Sequence, residues 1–396
     1  MSRAPLEVTN VQLESRSDTV TLSGDVGDEQ LFWTMPQRPG ISLRAEPFVA
    51  ALLVSAMRAG RDLVLPENAP LDPEMIRSTD QLQAIFTRWF PELQRVSIHA
   101  SAQGLRTGST QRMAGYSGGV DSSYTVFRLS PDLDGTVLFD GIEYREANPH
   151  LMSAVAQTLS QPMESLGVPL TIVQTNVKAV GRATGGKWSE FIGGALASIP
   201  HALGLSEYTI AGSNSWENLR PYGTHPYTDP LWGSAALRIH HHGAEALRIE
   251  KLAVLAEAPE LLAVLRVCFQ GEDYNCGVCH KCLQTSAAMR ALELSSPAMP
   301  PLRDPRLLRG LIVEHDGDFV DWVEILTPGL ADRDPELARE LQRLIGRYRT
   351  RSLLKEIDQQ LFGGISRRLL RRLDARGKDA VPSDAGAEKP EPPREV

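Results

Sequence analysis

The segment GYSGGVDSSYTVF, residues 115–127, joins a short apolar run, RMAGY, to a stretch that reads as a helix. Backbone N–H groups at the start of a helix have no partner inside it and carry the positive end of its dipole, so they bind anionic groups. Glycines let such a loop bend and let phosphate oxygens approach the backbone, while serines add hydroxyl donors. The residues of this kind are Ser117, Gly118, Gly119, Ser122 and Ser123. The segment therefore predicts a phosphate-binding loop, and the alternative is a plain turn with Asp121 near the N-cap.

Apolar strands and helices alternate after this loop. The predicted strands are RMAGY, TVLFDGI, LTIVQT and EYTIAGS, and the predicted helices lie near 121–129, 149–166 and 186–203. A parallel neighbour needs a crossover connection, so this alternation predicts an α/β fold with a doubly wound parallel sheet. Ligands bind such sheets at the carboxyl edge. The strand ends expected to line that crevice are near Tyr116, Ile142, Thr175 and Ser213.

The flanking regions differ from this pattern. Apolar and polar residues alternate from Val8 to Thr34, with a turn expected at Gly24 and Asp25, and the helical run EPFVAALLVSAMRAG follows. These features predict a small mixed α+β N-terminal domain over residues 1–108, before the α/β domain of residues 109–295. A helical extension is expected over 296–379, including the basic run at 366–378. The tail at 380–396, rich in Pro, Ala and Glu, is expected to be disordered.

All four cysteines of the chain lie within fifteen residues, in the spacing C-x7-C-x2-C-x2-C. They are Cys268, Cys276, Cys279 and Cys282. Four thiolates complete a tetrahedral Zn²⁺ site with no open position, so a structural zinc ion is the favoured interpretation. The alternatives are an iron–sulfur cluster, a cysteine that carries a persulfide for sulfur transfer, or buried free thiols.

The loop after the fourth predicted strand, residues 211–234, overhangs the expected crevice and is dense in polar and aromatic side chains. Its candidate ring-stacking residues are Trp216, Tyr222, His225 and Trp232. Its candidate substrate-binding residues are Gly212, Asn214, Glu217, Arg220, His225 and Asp229. This composition is typical of a ligand pocket, and the alternative is a proline-rich surface loop that packs its own aromatic side chains.

Four basic residues are candidates to stabilise the charge of a leaving pyrophosphate. They are Arg182, Lys187, Arg248 and Lys251. The run His240–His242 also suggests a metal, but adjacent side chains on a helix or strand do not converge on one ion. We therefore expect a structural or substrate-facing role for these histidines.

The net charge of −8 and pI of about 5.7 argue against a surface that grips a nucleic-acid backbone throughout, although a local basic groove is compatible with them. No stretch approaches the roughly 18 to 20 apolar residues of a membrane span, and the N-terminus lacks the apolar core of a signal peptide. A cytoplasmic protein without a membrane partner is expected.

The run Ser-Gly-Gly-Val-Asp-Ser resembles the pyrophosphate-binding loop of the N-type ATP pyrophosphatases, the PP-loop or adenine nucleotide alpha-hydrolase-like superfamily. That resemblance implies a HUP-like domain that cleaves ATP to AMP and pyrophosphate in order to adenylate a substrate. It implies that ATP is held by Ser117, Gly118, Gly119, Val120, Asp121, Ser122 and Ser123, and Lys187 joins this set as a candidate phosphate partner. It also implies catalytic roles for Ser117, Asp121, Ser122 and Lys251, with Asp121 near Mg²⁺ or bracing the loop.

With the cysteine cluster downstream, residues 110–292 look like the 7-cyano-7-deazaguanine synthase (QueC-like) branch. Gly212 and Asn214 match that branch's turn, whereas Pro226, Tyr227 and Asp229 match its later stretch only loosely. The resemblance implies a ligase that adenylates a carboxylate or amide oxygen for attack by ammonia or an amine, on a deazapurine-type or other heterocyclic substrate.

Two other functions remain open at this level. One is a PP-loop sulfurtransferase that thiolates tRNA or a metabolite. The other is a non-catalytic nucleotide-binding module in a larger assembly.

Overall fold

A computed structural model describes residues 3–104, 109–142, 149–268, 273–313 and 316–362. Ten strands form one sheet in the order β10-β9-β6-β7-β8-β3-β2-β1-β4-β5. The strands are β1 (Leu6–Arg16), β2 (Thr19–Val26), β3 (Glu29–Pro36), β4 (Leu63–Val64), β5 (Ile98–His99), β6 (Arg112–Gly115), β7 (Gly135–Asp140), β8 (Leu170–Thr175), β9 (Glu207–Ala211) and β10 (Arg238–His242).

The helices alternate with these strands and then continue alone to the end of the described chain. They are α1 (Glu46–Ala59), α2 (Pro73–Trp89), α3 (Val120–Leu129), α4 (Pro149–Ser165), α5 (Val177–Ala183), α6 (Trp188–Ala202), α7 (Arg248–Val254), α8 (Pro259–Ala263), α9 (His280–Ala291), α10 (Asp316–Glu324), α11 (Leu330–Arg333) and α12 (Pro335–Phe362).

The half of the sheet from β10 to β8 is parallel throughout, with β6 in the middle. The chain adds β7 and β8 on one side of β6 and then β9 and β10 on the other. Four of these strands and their helices α3, α4 and α6 confirm the predicted alternation, and β10 adds the three-histidine run at the edge. The winding direction reverses between β6 and β9, which is where ligands bind in open α/β sheets.

The N-terminal hairpins extend this same sheet. Strands β1, β2 and β3 pair antiparallel, and β3 pairs antiparallel with β8 through Trp33 and Thr175. The indole N–H of the fully buried Trp33 donates to Ser198 Oγ of α6 at 3.1 Å. One continuous apolar core therefore spans the predicted boundary near residue 108. The predicted domain boundaries stay predictions, because shared strand pairing does not show which segments fold alone.

The prediction of a turn at Gly24 and Asp25 is wrong. Both residues lie inside β2, and the turn comes at Gly27, whose φ is +63°. A Cβ on Gly24 would lie 2.8 Å from the ring of Phe48, so glycine is needed here for close packing of α1 on the sheet.

The chain divides into two compact units, Met1–Leu341 and Gln342–Val396. The described part of the second unit is the later portion of α12. The basic run at 366–378 and the predicted disordered tail at 380–396 lie outside the described residues. Among the helices that are described, none combines the length and apolarity needed to cross a bilayer.

Candidate functional site

The glycine loop, residues Tyr116–Gly119, connects the carboxyl end of β6 to the first turn of α3. Gly118 has φ +76°, and a Cβ there would lie 2.7 Å from the Leu159 side chain. The Ser122 hydroxyl accepts from the Ser117 N–H at 3.2 Å and donates to the Gly119 carbonyl at 3.2 Å. A left-handed glycine and a serine of α3 thus fold the loop back over the start of the helix.

The loop opens onto a cavity of about 1360 Å³ at the carboxyl edge of the sheet. Ligand sites in proteins typically measure about 300–1,000 Å³, so this one has room for a nucleotide and a second molecule. Five residues of the predicted nucleotide set line it, namely Ser117, Gly119, Val120, Asp121 and Ser122. Ser123 is fully buried beneath the loop. If the loop were a plain turn covered by neighbouring side chains, no cavity of this size would adjoin it.

Asp121 is held by two cations from α7. Lys251 Nζ lies 3.0 Å from one carboxylate oxygen and 2.6 Å from the carbonyl of Gly212, and the Arg248 guanidinium bonds to the other oxygen. The Lys251 side chain is 1% exposed. Burial alone would raise the pKa of Asp121, but Lys251 and Arg248 hold it below its ordinary value. Asp121 therefore braces the glycine loop against β9 and α7, while Arg248 lines the cavity.

The other predicted cations separate into two groups. Lys187 is half exposed, lies 3.7 Å from Glu190 and 3.9 Å from Glu92, and is not among the cavity-lining residues. Arg182 lines the cavity together with Lys178, which sequence reasoning missed. Lys178 donates to the carbonyl of Ile142 at 2.7 Å and lies 4.8 Å from the centre of the Trp188 ring.

The loop after β9 contributes to the cavity only in part. Asn214, Arg220 and Tyr222 line it, and Gly212 contacts Lys251. Glu217 is exposed and is not among the lining residues.

The remaining predicted polar residues of this loop, His225 and Asp229, are buried away from the cavity lining. Asp229 accepts from His241 Nδ1 at 2.6 Å and from the His225 N–H at 3.1 Å. Burial raises the pKa of Asp229 and lowers that of His225. The His225 ring lies 4.8 Å from Trp89, and the fully buried Trp232 lies 6.4 Å from Phe86, so this end of the loop packs its aromatic side chains against α2.

Helix α10 forms a further wall of the cavity, through Gly317, Asp318 and Asp321. The guanidinium of Arg220 occupies the space where the Cβ of any other residue at position 317 would lie. Lys281 of α9 lies 3.7 Å from Asp318 and 3.9 Å from Asp321. The sequence resemblance ends near residue 292, so no motif indicated that this later segment reaches the site.

Glu324, at the end of α10, joins this helix to α7. Its carboxylate accepts from Asn218 Nδ2 at 3.1 Å and from the Arg248 N–H at 3.0 Å. Burial, followed by the negative charge of Asp321, raises the pKa of Glu324 from 4.5 to about 7. The native chain therefore holds this proton to a higher pH than the unfolded chain does.

We expect Glu324→Gln to remove a pH dependence of stability. Because the folded-state pKa is raised, Glu324 costs native stability as pH rises from 4.5 to about 7, and the cost then stays constant. Relative to wild type, the variant should gain about 1–2 kcal/mol between pH 5 and pH 8, after allowance for solvent screening. Urea unfolding of both proteins across this range measures the difference, and a difference that does not change with pH would contradict the expectation.

The four cysteines converge. All their Sγ atoms lie within 4.8 Å of one another, with 4.0 Å between Cys276 and Cys282 and 4.0 Å between Cys268 and Cys279. Four sulfurs about 2.3 Å from one Zn²⁺ in a tetrahedron are about 3.8 Å apart, so the cluster fits such an ion. The N–H of Cys279 donates to Cys276 Sγ at 3.3 Å, which orients the ligand set.

The cysteine cluster adjoins the glycine loop. Cys268 lines the cavity, and the N–H of Arg266 donates to the Gly118 carbonyl at 2.8 Å. Asn275 holds this segment from the other side, because its side chain accepts from the Val267 N–H at 3.0 Å. A metal at the cysteines would therefore fix the chain that supports the loop.

We expect the purified protein to contain about one zinc ion per chain, and Cys276→Ser or Cys282→Ser to contain almost none, because four thiolates are needed to close the site. Elemental analysis measures this. A matched Ser286→Ala variant on α9 should keep its zinc. Stoichiometric iron with visible absorption would instead show an iron–sulfur cluster.

Comparison of the chain with protein-family models, with curated proteins and with solved structures found no match.

Proposed function

We propose that the chain is an ATP-dependent ligase that works in the manner of the N-type ATP pyrophosphatases, with a 7-cyano-7-deazaguanine synthase (QueC-like) reaction. MgATP would bind at the glycine loop, and a substrate carboxylate or amide oxygen would attack the α-phosphate and release pyrophosphate. Ammonia or an amine would then displace AMP. The observation that carries the proposal is the serine- and glycine-lined loop, which opens from the middle strand of a parallel sheet onto a cavity large enough for two substrates.

Adenylation requires mainly that the protein position the substrates and stabilise the charge of the departing pyrophosphate. Backbone N–H groups of the loop and the hydroxyls of Ser117 and Ser122 would hold the β- and γ-phosphates. Arg248 lines the same part of the cavity and would stabilise the charge of the departing pyrophosphate. Asp121 and Lys251 would hold the loop and the Arg248 side chain in position, so we assign them positioning roles.

The acceptor would occupy the opposite part of the cavity, between α5 and α6. Lys178, Arg182 and Trp188 line this part, and the acidic residues of the lining lie on α3 and α10 instead. Cations beside an aromatic face suit a planar substrate that carries a carboxylate. A deazapurine-type or other heterocyclic acid has this chemistry.

The sulfurtransferase alternative needs a cysteine that is free to carry sulfur. The chain has four cysteines, and all of them lie within one cluster. A four-thiolate metal centre leaves none for transfer, which favours the ligase.

Exchange of labelled pyrophosphate into ATP tests the proposal, because only reversible adenylation produces it. The screen would use carboxylated heterocycles with the zinc content measured on the same sample. We expect exchange that depends on one class of acid and is lost in Arg248→Met. Tight nucleotide binding without exchange for any acid would overturn the ligase and support the non-catalytic module.

A further inference from the structure

A second, small cavity lies beside the glycine loop, between α7, α9 and α10. Its volume is about 10 Å³, which is room for one molecule the size of water. Its polar lining residues are Arg248, Gln284, Thr285 and Asp321, and its other lining residues are apolar. We call it the small chamber. Val120, Arg248 and Asp321 also line the large cavity, so the two spaces share a wall at the start of α3.

Two polar atoms of the small chamber are buried without a hydrogen-bond partner among the described residues. They are Gln284 Oε1 and Thr285 Oγ1, in residues that are each 2% exposed. The amide of Gln284 is oriented by its Nε2, which lies 3.5 Å from the Asp318 carbonyl. Its Oε1 is therefore an acceptor, and buried acceptors in proteins are almost always satisfied. A small hydrogen-bonding molecule in the chamber would satisfy both atoms.

The charges around the small chamber favour a cation. The described ionisable groups joined through Arg248 and Lys281 are four carboxylates and three cations. The carboxylates are Asp121, Asp318, Asp321 and Glu324, and the cations are Arg248, Lys251 and Lys281. Above pH 7, where Glu324 is ionised, one positive charge would balance this group. Gln284 Oε1, Thr285 Oγ1 and the Asp321 carboxylate offer acceptors, which suits a donor such as ammonium.

We propose that the small chamber binds an ammonium ion and supplies it as the nitrogen donor of the ligase reaction. This inference rests on the proposed function, because it names the amine site for the adenylate formed in the large cavity. Ammonium would give one proton to the Asp321 carboxylate, and the ammonia would cross the shared wall into the large cavity to reach the adenylate. The ammonia lone pair would then form the C–N bond at the acyl carbon, the acyl C–O bond would break, and AMP would leave. The surplus proton on nitrogen would pass to solvent.

Thermal unfolding of the full chain at pH 8, in ammonium, sodium and tetramethylammonium chloride at equal ionic strength, tests the binding. We expect ammonium to raise the unfolding temperature of the wild type more than the other two salts do. Thr285→Val and Gln284→Met should abolish this specific increment, whereas Ser286→Ala should keep it, because that hydroxyl bonds to the Pro300 carbonyl. An equal response to the three salts, or an increment retained in Thr285→Val, would overturn the proposal and leave the chamber with water only.

Kinetics separate this inference from the proposed function. Adenylation needs no amine, so pyrophosphate exchange should be nearly unchanged in Thr285→Val, while the KM for ammonium should rise about tenfold for the loss of one buried hydrogen bond. Exchange with no ammonium-specific stabilisation would defeat the small-chamber proposal alone. Ammonium-specific stabilisation without exchange for any acid would defeat the ligase alone.

Discussion

Asp121→Asn is expected to lower the free energy of unfolding by about 3–5 kcal/mol and to abolish pyrophosphate exchange. The substitution keeps the size of the side chain but removes the charge that Lys251 and Arg248 share. Lys251 is 1% exposed, so its ammonium would be left buried with neutral oxygen acceptors and without the carboxylate that balances its charge. The tie of the loop to α7 would also weaken, and with it the geometry that we propose for pyrophosphate binding. Urea unfolding and the exchange assay measure the two effects.

Asp80 provides the control for this substitution. It forms an exposed ion pair with Arg95, and Asp80→Asn should cost less than about 1 kcal/mol. A double-mutant cycle with Lys251→Met should show strong coupling, because Asp121→Asn costs less once the buried ammonium is gone. Additive effects, or a cost for Asp121→Asn as small as that for Asp80→Asn, would show that the buried pair does not brace the loop.

Gly118→Ala is expected to reduce ATP binding and exchange by a hundredfold or more, about 3 kcal/mol of lost interaction. The new Cβ would lie 2.7 Å from Leu159 and would sit on a backbone with φ +76°. Relief of this contact requires the loop to move, and the N–H groups that face the cavity would move with it. Isothermal titration with ATP and the exchange assay measure the loss.

Gly167→Ala separates backbone strain from displacement of the loop. Gly167 has φ +73°, close to that of Gly118, but no atom lies within 4 Å of its added Cβ. It should therefore cost about 1 kcal/mol of stability and leave ATP affinity unchanged. If both glycine variants bind ATP like the wild type, the glycine loop is not the nucleotide site.

The parallel half of the sheet was predictable because its signals are local. Each of the strands β6 to β9 is a short apolar run, and each predicted helix carries its own spacing in the sequence. The antiparallel half shows the limit of local signals. Gly24 reads as a turn residue, and only the ring of Phe48, packed from α1, explains a glycine inside β2.

The glycine loop and the cysteine cluster were predictable for the same reason, since each lies within fifteen residues of chain. The rest of the site depends on long-range contacts. Local sequence cannot show that Lys187 turns toward Glu190 while Lys178 faces the cavity. It also cannot show that Asp318 and Asp321 of α10 line the same cavity as a glycine loop more than a hundred residues earlier.

A structure of the chain with a non-hydrolysable ATP analogue, bridged by carbon between the α- and β-phosphates, tests the central claim most directly. We expect the β- and γ-phosphates to accept hydrogen bonds from the backbone N–H groups of the glycine loop and from Ser122, with Arg248 on the same phosphates. An analogue bound elsewhere in the large cavity, with the loop making no phosphate contact, would contradict the account.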